Sequence, residues 1–277
     1  MERNEIPFLS ASDLARLIES RQVSPVEATE AYLDRIDSVD GQLNSYIAVL
    51  KDHARESAKQ AEAEIASGNY RGPLHGLPVA VKDQFYTAGM VTTGGSSILR
   101  DFVPDEDSTV MARLKDAGAV LLGKLNMSEF AMADIYNHPY GTPRNPWDTT
   151  RNPGTSSSGS GAATAAFLCA TSLGEDTGGS IRSPANFSGL VGLRPTYGRG
   201  EPPWSNGRLV VDGHRRPHLA VRRGRCNHVP GHRGPRPEGP VHLGRSGARL
   251  PGSTDRRYQR AAGGYACGAD GRAQPRP

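Results

Sequence analysis

Residues 109–122 read TVMARLKDAGAVLL. Thr109 to Ala117 predicts a helix, Gly118 closes it, and Ala119 to Leu122 is a short apolar run of the kind that forms a buried strand. The same texture extends in both directions from Pro73 onward, as short apolar runs broken by Gly and Pro. Leu77 to Val81 reads as a strand, Ala162 to Ala170 as a small-residue helix and Leu190 to Leu193 as a further strand. Strands alternating with helices predict an α/β layered sheet. Three helices precede it. Ser10 to Ile18 carries Leu14, Leu17 and Ile18. Ser24-Pro25-Val26-Glu27 opens the second, with Ser at the N-cap, Pro at the first helical position and Glu where a capping box needs it. Its apolar face continues through Ala28, Tyr32, Leu33 and Ile36. Asp52 to Ser67 carries Ala54, Ala58, Ala61 and Ile65 at helical spacing and stops near Gly68. All three read as scaffold, and no internal repeat is visible.

The chain has 277 residues, with 33 Lys+Arg against 29 Asp+Glu, and the charge is unevenly distributed. From Gly200 to Pro277 there are 15 Arg, no Lys and 5 acidic residues, a charge of +10 that leaves −6 on residues 1–199 of the chain's +4. A uniformly basic nucleic-acid surface is thereby excluded. The same 78 residues hold 14 Gly and 10 Pro and no Phe, Ile or Met, a composition that does not build a core. Residues 1–199 have the composition and length of one domain-sized globular core. Three unevenly spaced cysteines, Cys169, Cys226 and Cys267, make neither a disulfide framework nor a CxxC metal pattern. There is no apolar run of 18 residues, and the N-terminal MERNEIPF has no signal-peptide h-region. A soluble cytoplasmic protein is expected.

Three places carry candidate chemistry. Lys82 directly follows the strand Val79-Ala80-Val81. It reads either as a strand-end lysine turned to solvent or, if buried, as a desolvated amine able to act as a base. Residues 153–161, PGTSSSGSG, have linker composition but abut the small-residue helix. A Gly/Ser loop there presents backbone N–H groups and the positive end of the helix dipole. Neither GxxxxGK[ST] nor GxGxxG after a strand is present, so a nucleotide loop is not indicated. The third is Asp176-Thr177-Gly178-Gly179-Ser180-Ile181-Arg182. It is either an ordinary Gly-Gly turn or a turn that points consecutive N–H groups at one spot beside a serine nucleophile. No GxSxG elbow exists and no histidine lies near Ser180 in sequence, so a base for Ser180 must come from elsewhere; lysine is an accepted variant.

Together these pieces resemble the amidase signature enzymes. Five blocks carry the resemblance in order: GLPVAVKD at 76–83, AGAVLLGKLNMSEFA at 117–131, YGTPRNPWD at 140–148, PGTSSSGSGAATAA at 153–166 and LGEDTGGSIRSPANFSGLVGLRPTYGR at 173–199. The resemblance implies a mixed, twisted β-sheet core covered by helices on both faces, incomplete at the C-terminus, with residues 1–199 forming the N-terminal part of the domain. It also implies a Ser–Ser–Lys triad. Ser180 matches the acyl-forming nucleophile, Ser156 the bridging serine after a cis peptide bond, and Lys82 the lysine that takes the proton. The backbone of Thr177, Gly178, Gly179 and Ser180 would form the oxyanion hole, and Arg182 would brace the turn. The lysine is useful only when uncharged, which a buried site without a carboxylate partner would favour. No metal and no cofactor is implied.

The family's loop usually reads Gly-Gly-Ser-Ser-Gly-Gly. Here Thr155 and Ser158 replace two glycines, which keeps Ser157 open as the alternative bridge. The implied reaction is hydrolysis of a small amide through a serine acyl-enzyme. The alternatives are the glutaminase-type component of a tRNA-dependent amidotransferase, with its partner subunits, and a catalytically dead interaction protein. A homodimer is compatible with this reading, and neither a membrane nor nucleic acid is an expected partner. The resemblance stops at Arg199. Codons allowed for Gly200 to Gly264, shifted by one base, can spell a continuation of the family pattern. The expectation is therefore a frameshift near codons 199 and 200, with 200–277 a disordered out-of-frame stretch. The competing reading of that stretch is a basic nucleic-acid arm, for which one Trp and two Tyr offer little stacking surface.

Overall fold

Ser10 and Ser24 start the first two helices. At α1 (Ala11–Glu19), Ser10 Oγ accepts the Asp13 N–H at 3.1 Å. At α2 (Pro25–Leu43) the capping box closes in both directions: Ser24 Oγ accepts from Glu27 N at 3.1 Å, and a Glu27 carboxylate oxygen accepts from Ser24 N at 2.9 Å. The helix ends on Asn44 in the left-handed conformation, φ 53°. Strand β1 (Tyr46–Val49) leads into α3 (Lys51–Ala66), which buries Ala54, Ala58, Ala61 and Ile65 as its spacing predicts. Then come β2 (Pro78–Lys82), α4 (Thr109–Asp116), β3 (Val120–Leu125), α5 (Ser158–Ala165), β4 (Thr171–Glu175), α6 (Arg182–Phe187), β5 (Val191–Gly192) and β6 (Pro217–Val221). This computed structural model describes residues 2–132 and 136–195, together with the backbone of Pro217–Val221.

The sheet runs β1-β3-β2-β4-β6-β5. Its centre is parallel, β2 pairing with β3 on one side and β4 on the other, while β1 and β6 add antiparallel neighbours and β5 pairs antiparallel with β6. Successive side chains of a strand face opposite sides, and the core divides accordingly. Ala80, Val120 and Leu122 pack with Leu14, Tyr32, Ala58 and Ala163 from α1, α2, α3 and α5. Val81, Leu121 and Leu173 pack on the other face with Met111 and Leu114 of α4 and with Phe85. The α/β layering is what the sequence pattern predicts, and the mixed sheet with helices on both faces is what the resemblance implies.

Several elements differ from what periodicity suggests. The helix expected over 162–170 is α5, which begins four residues earlier inside the Ser/Gly loop and ends at Ala165. The chain then reverses at Phe167, φ 65°, and enters β4, which periodicity does not predict. Thr-Ser-Leu-Gly-Glu lacks the apolar run that marks a buried strand. It can be buried because α5 supplies partners: Thr164 Oγ1 and Ser172 Oγ lie 2.6 Å apart, Ser172 Oγ donates to Ser160 O at 3.2 Å, and Ser160 Oγ donates to Leu173 O at 3.2 Å. The close seat of α5 requires Gly159, where an added Cβ would run into the backbone of Ser45 and Asn126. The strand expected over 190–193 is the two-residue β5. Within the 200–277 stretch, the described residues Pro217–Val221 form β6, antiparallel to β4. The rest of the expectation for that stretch lies outside the described residues.

Because β2 and β4 are parallel neighbours, their carboxyl ends emerge together. Lys82 is the last residue of β2 and Glu175 the last of β4, the end of a parallel sheet at which ligand crevices form.

Candidate active site

Lys82 does not turn to solvent. Its side chain is fully buried and its Nζ donates to Ser156 Oγ at 2.7 Å. It also meets Glu175 Oε2 at 3.4 Å, and this corrects the expectation of a lysine without a carboxylate partner. The correction follows from the unforeseen strand: only with β4 beside β2 does Glu175 come level with Lys82.

The serine loop resolves into three distinct positions. The Thr155–Ser156 peptide is cis. Ser156 Oγ faces Lys82, whereas Ser157 Oγ is held by the main chain of Glu175, accepting from its N at 3.3 Å and donating to its O at 3.3 Å. Of the two serines left open as the bridge, Ser156 is the one beside the lysine. Ser157 instead ties the loops together, its N–H donating to Ser180 O at 3.1 Å. Ser158 Oγ lies 3.1 Å from His138 Nε2.

The turn that carries Ser180 is built on Asp176, whose side chain is fully buried. One carboxylate oxygen accepts the Gly179 N–H at 2.7 Å, and the other accepts the N–H groups of Ile181 and Arg182, each at 3.2 Å. Arg182 braces this arrangement through Asp176, with Nε at 2.9 Å and Nη2 at 3.1 Å from its two oxygens. Arg194 Nε donates to Asp176 O at 3.0 Å. Gly179 sits at φ 136°, where a side chain would be strained. Its N–H is committed to Asp176, so of the four N–H groups expected to face an oxyanion, those of Thr177, Gly178 and Ser180 remain. Ser180 is 7% exposed, and its hydroxyl makes no hydrogen bond among the described residues. Asp176 is a functional residue that the motifs did not single out, although its place before Thr-Gly-Gly-Ser marks it as a turn cap.

Burial alone would raise the Asp176 carboxyl, but the Arg182 side chain and the N–H groups of Arg182, Ile181 and Gly179 outweigh it and hold it down at about 2. A carboxyl whose folded pKa lies below its unfolded value stabilises the fold above the unfolded value and loses that contribution as pH falls toward the folded one. We expect Asp176 to contribute up to about 2 kcal/mol at neutral pH, lost between roughly pH 4 and pH 2. Urea melts of the native chain and of Asp176→Asn across this range check it. The two curves should converge toward pH 2, and a constant gap would contradict the assignment.

A second buried pair anchors the segment after Lys82. Lys124 Nζ lies 3.6 Å from Asp83 Oδ1 and donates to Phe85 O at 2.5 Å, Thr92 Oγ1 at 3.0 Å and Thr87 Oγ1 at 3.1 Å. Burial pulls Lys124 down to about 8 against the pull of Asp83, and burial raises the Asp83 carboxyl. Both residues stand in the blocks VKD and GKLN; the resemblance gives Lys82 its serine, but nothing in GKLN tells that Lys124 faces a carboxylate and three loop oxygens. Among the described residues, no group of three or more His, Cys, Asp or Glu could hold a metal ion, and no helix is long and apolar enough to cross a membrane.

A profile of the family described as Amidase matches residues 27–200. The chain is 49% identical over 196 residues to the A subunit of the glutamyl-tRNA(Gln) amidotransferase of Moorella thermoacetica, covering 70% of this chain and 40% of that one. It is 48% identical over 199 residues to the putative amidase AmiD of Mycobacterium bovis, covering 72% of this chain and 42% of the relative. Among solved structures, the peptide amidase from Stenotrophomonas maltophilia superposes with a TM-score of 0.71 at 35% identity, over 77% of this chain and 45% of that one. The chain thus spans less than half the length of these relatives.

Proposed function

This chain belongs to the amidase family, and from that premise we propose that its site hydrolyses the C–N bond of a carboxylic acid amide through an acyl-enzyme on Ser180. The observation that carries the reading is the buried Lys82–Ser156 hydrogen bond of 2.7 Å, beside a loop whose Ser157 N–H is bonded to Ser180 O.

In this mechanism Ser180 Oγ attacks the amide carbonyl carbon as its proton passes to Ser156 Oγ, whose own proton passes to the neutral Lys82 amine. A hydroxyl can relay in this way because it is donor and acceptor at once. The tetrahedral oxyanion is received by N–H groups of the Thr177–Ser180 turn, and each such donor is worth about 3 kcal/mol to the transition state. Collapse breaks the C–N bond, and the proton returns from Lys82 through Ser156 to the departing ammonia or amine. Water then attacks the acyl-enzyme by the same relay and releases the acid.

The second reading is a glutaminase-type component of a tRNA-dependent amidotransferase, supported by the 49% identity to such a protein. A cytoplasmic location belongs to both readings. We also retain the frameshift near codons 199 and 200 as a proposal, supported by the end of the family match at residue 200, where the composition changes. One set of assays tests these together, after the coding DNA around codon 199 has been read. Release of ammonia from simple carboxamides is measured for the 277-residue chain and for the frame-restored chain, and from glutamine with and without amidotransferase partner subunits. We expect weak turnover by the former and robust turnover of simple amides by the latter. Ammonia release from glutamine only in the presence of partners selects the second reading, and no release in any arm overturns both.

A further inference from the structure

We infer that Glu175 is a positioning residue for Lys82: its carboxylate holds the lysine amine against Ser156 and sets the pH at which Lys82 becomes a base. The inference rests on the reading of Lys82 as the proton acceptor and deepens it.

Glu175 closes β4 with 2% of its surface exposed, and its side chain is shared between two partners. Oε2 lies 3.4 Å from Lys82 Nζ, and Oε1 accepts from Thr177 Oγ1 at 2.7 Å. Its main chain is pinned in turn by Ser157 Oγ, which bonds both its N–H and its carbonyl. Glu175 therefore joins the lysine and the turn that presents Ser180 through its carboxylate, and the serine loop through its main chain.

The charge has a direct consequence for the relay. When Lys82 accepts the proton from Ser156 it becomes an ammonium in a buried site, where an isolated charge is costly. A fixed carboxylate at ion-pair distance favours the charged form, so Glu175 stabilises the state that forms as Ser180 attacks. It also keeps the resting lysine protonated to a higher pH than burial alone would. Among the described residues, three further ionisable groups near these strand ends have partners of their own. Asp83 pairs with Lys124 on β3, Asp176 holds Arg182 on α6 and Arg194 beyond β5, and His138 contacts Ser158 on α5.

The test follows the lysine itself. The full chain is prepared with 13C at the lysine Cε positions, the Lys82 resonance is assigned by its loss in Lys82→Met, and its chemical shift is followed against pH. In Glu175→Gln, which keeps the shape and removes the charge, the Lys82 midpoint should fall by about one pH unit or more. Thermal melts run in parallel show whether each chain is folded, and Glu175→Thr supplies the same charge deletion if the Gln variant unfolds. An unchanged midpoint in a folded variant would overturn the inference, because a residue that only packs would leave it where it was. The readout needs no turnover. Failure to hydrolyse amides would sink the proposed function and leave this result standing, whereas an unmoved midpoint would do the reverse.

Discussion

Replacing Ser180 with alanine in the frame-restored chain is expected to lower kcat for amide hydrolysis on the order of 10⁶-fold, the scale seen when a serine hydrolase loses its nucleophile. It should leave the fold nearly untouched. The Ser180 hydroxyl makes no hydrogen bond among the described residues and the residue is 7% exposed, so its removal strands no buried partner. The turn is carried instead by Asp176, which bonds the N–H groups of Gly179, Ile181 and Arg182. Steady-state kinetics together with a thermal melt check this. A variant that keeps more than about a hundredth of the native rate, or one that loses activity only because it unfolds, would contradict the role given to Ser180.

Lys82→Met should remove activity by a different route and carry a stability cost that Ser180→Ala does not. Lys82 and Glu175 are both buried, 0% and 2% exposed, and lie 3.4 Å apart. Breaking a buried ion pair by deleting one partner leaves an uncompensated charge and typically costs about 3–5 kcal/mol. Replacing both partners with uncharged residues of similar shape is often close to neutral. Denaturant melts of Lys82→Met, Glu175→Gln and the double variant measure the coupling. The double variant should be more stable than Lys82→Met alone. Strictly additive losses would mean that the two groups do not sense each other in the fold.

The parts of the fold legible in the sequence are those fixed by short-range rules. Ser10, Ser24 and Glu27 announce their helices because caps act within one turn, and Gly118 marks the end of α4 because its φ of 73° suits glycine. Strand β4 escapes such rules because its burial depends on hydroxyl pairs with α5, a long-range circumstance that a period in Thr-Ser-Leu-Gly-Glu cannot express. The site divides in the same way. Lys82, Ser156, Ser180 and Arg182 are carried by the motifs of the resemblance. Glu175 and Asp176 stand inside the same block, yet their work becomes visible only when β4 lies beside β2 and the turn after it folds back onto a carboxylate. The commitment of the Gly179 N–H to Asp176 is likewise a fact of three dimensions.

The central claim is that Lys82, Ser156 and the Asp176-built turn together activate Ser180, and this can be asked of the 277-residue chain without knowing its substrate. The chain is incubated with a fluorophosphonate that phosphorylates activated serines, digested, and its peptides mapped by mass spectrometry. The account predicts a single adduct on Ser180, absent in Ser180→Ala and strongly reduced in Lys82→Met. An unlabelled native chain that is folded, or an adduct on Ser156 instead of Ser180, would contradict it.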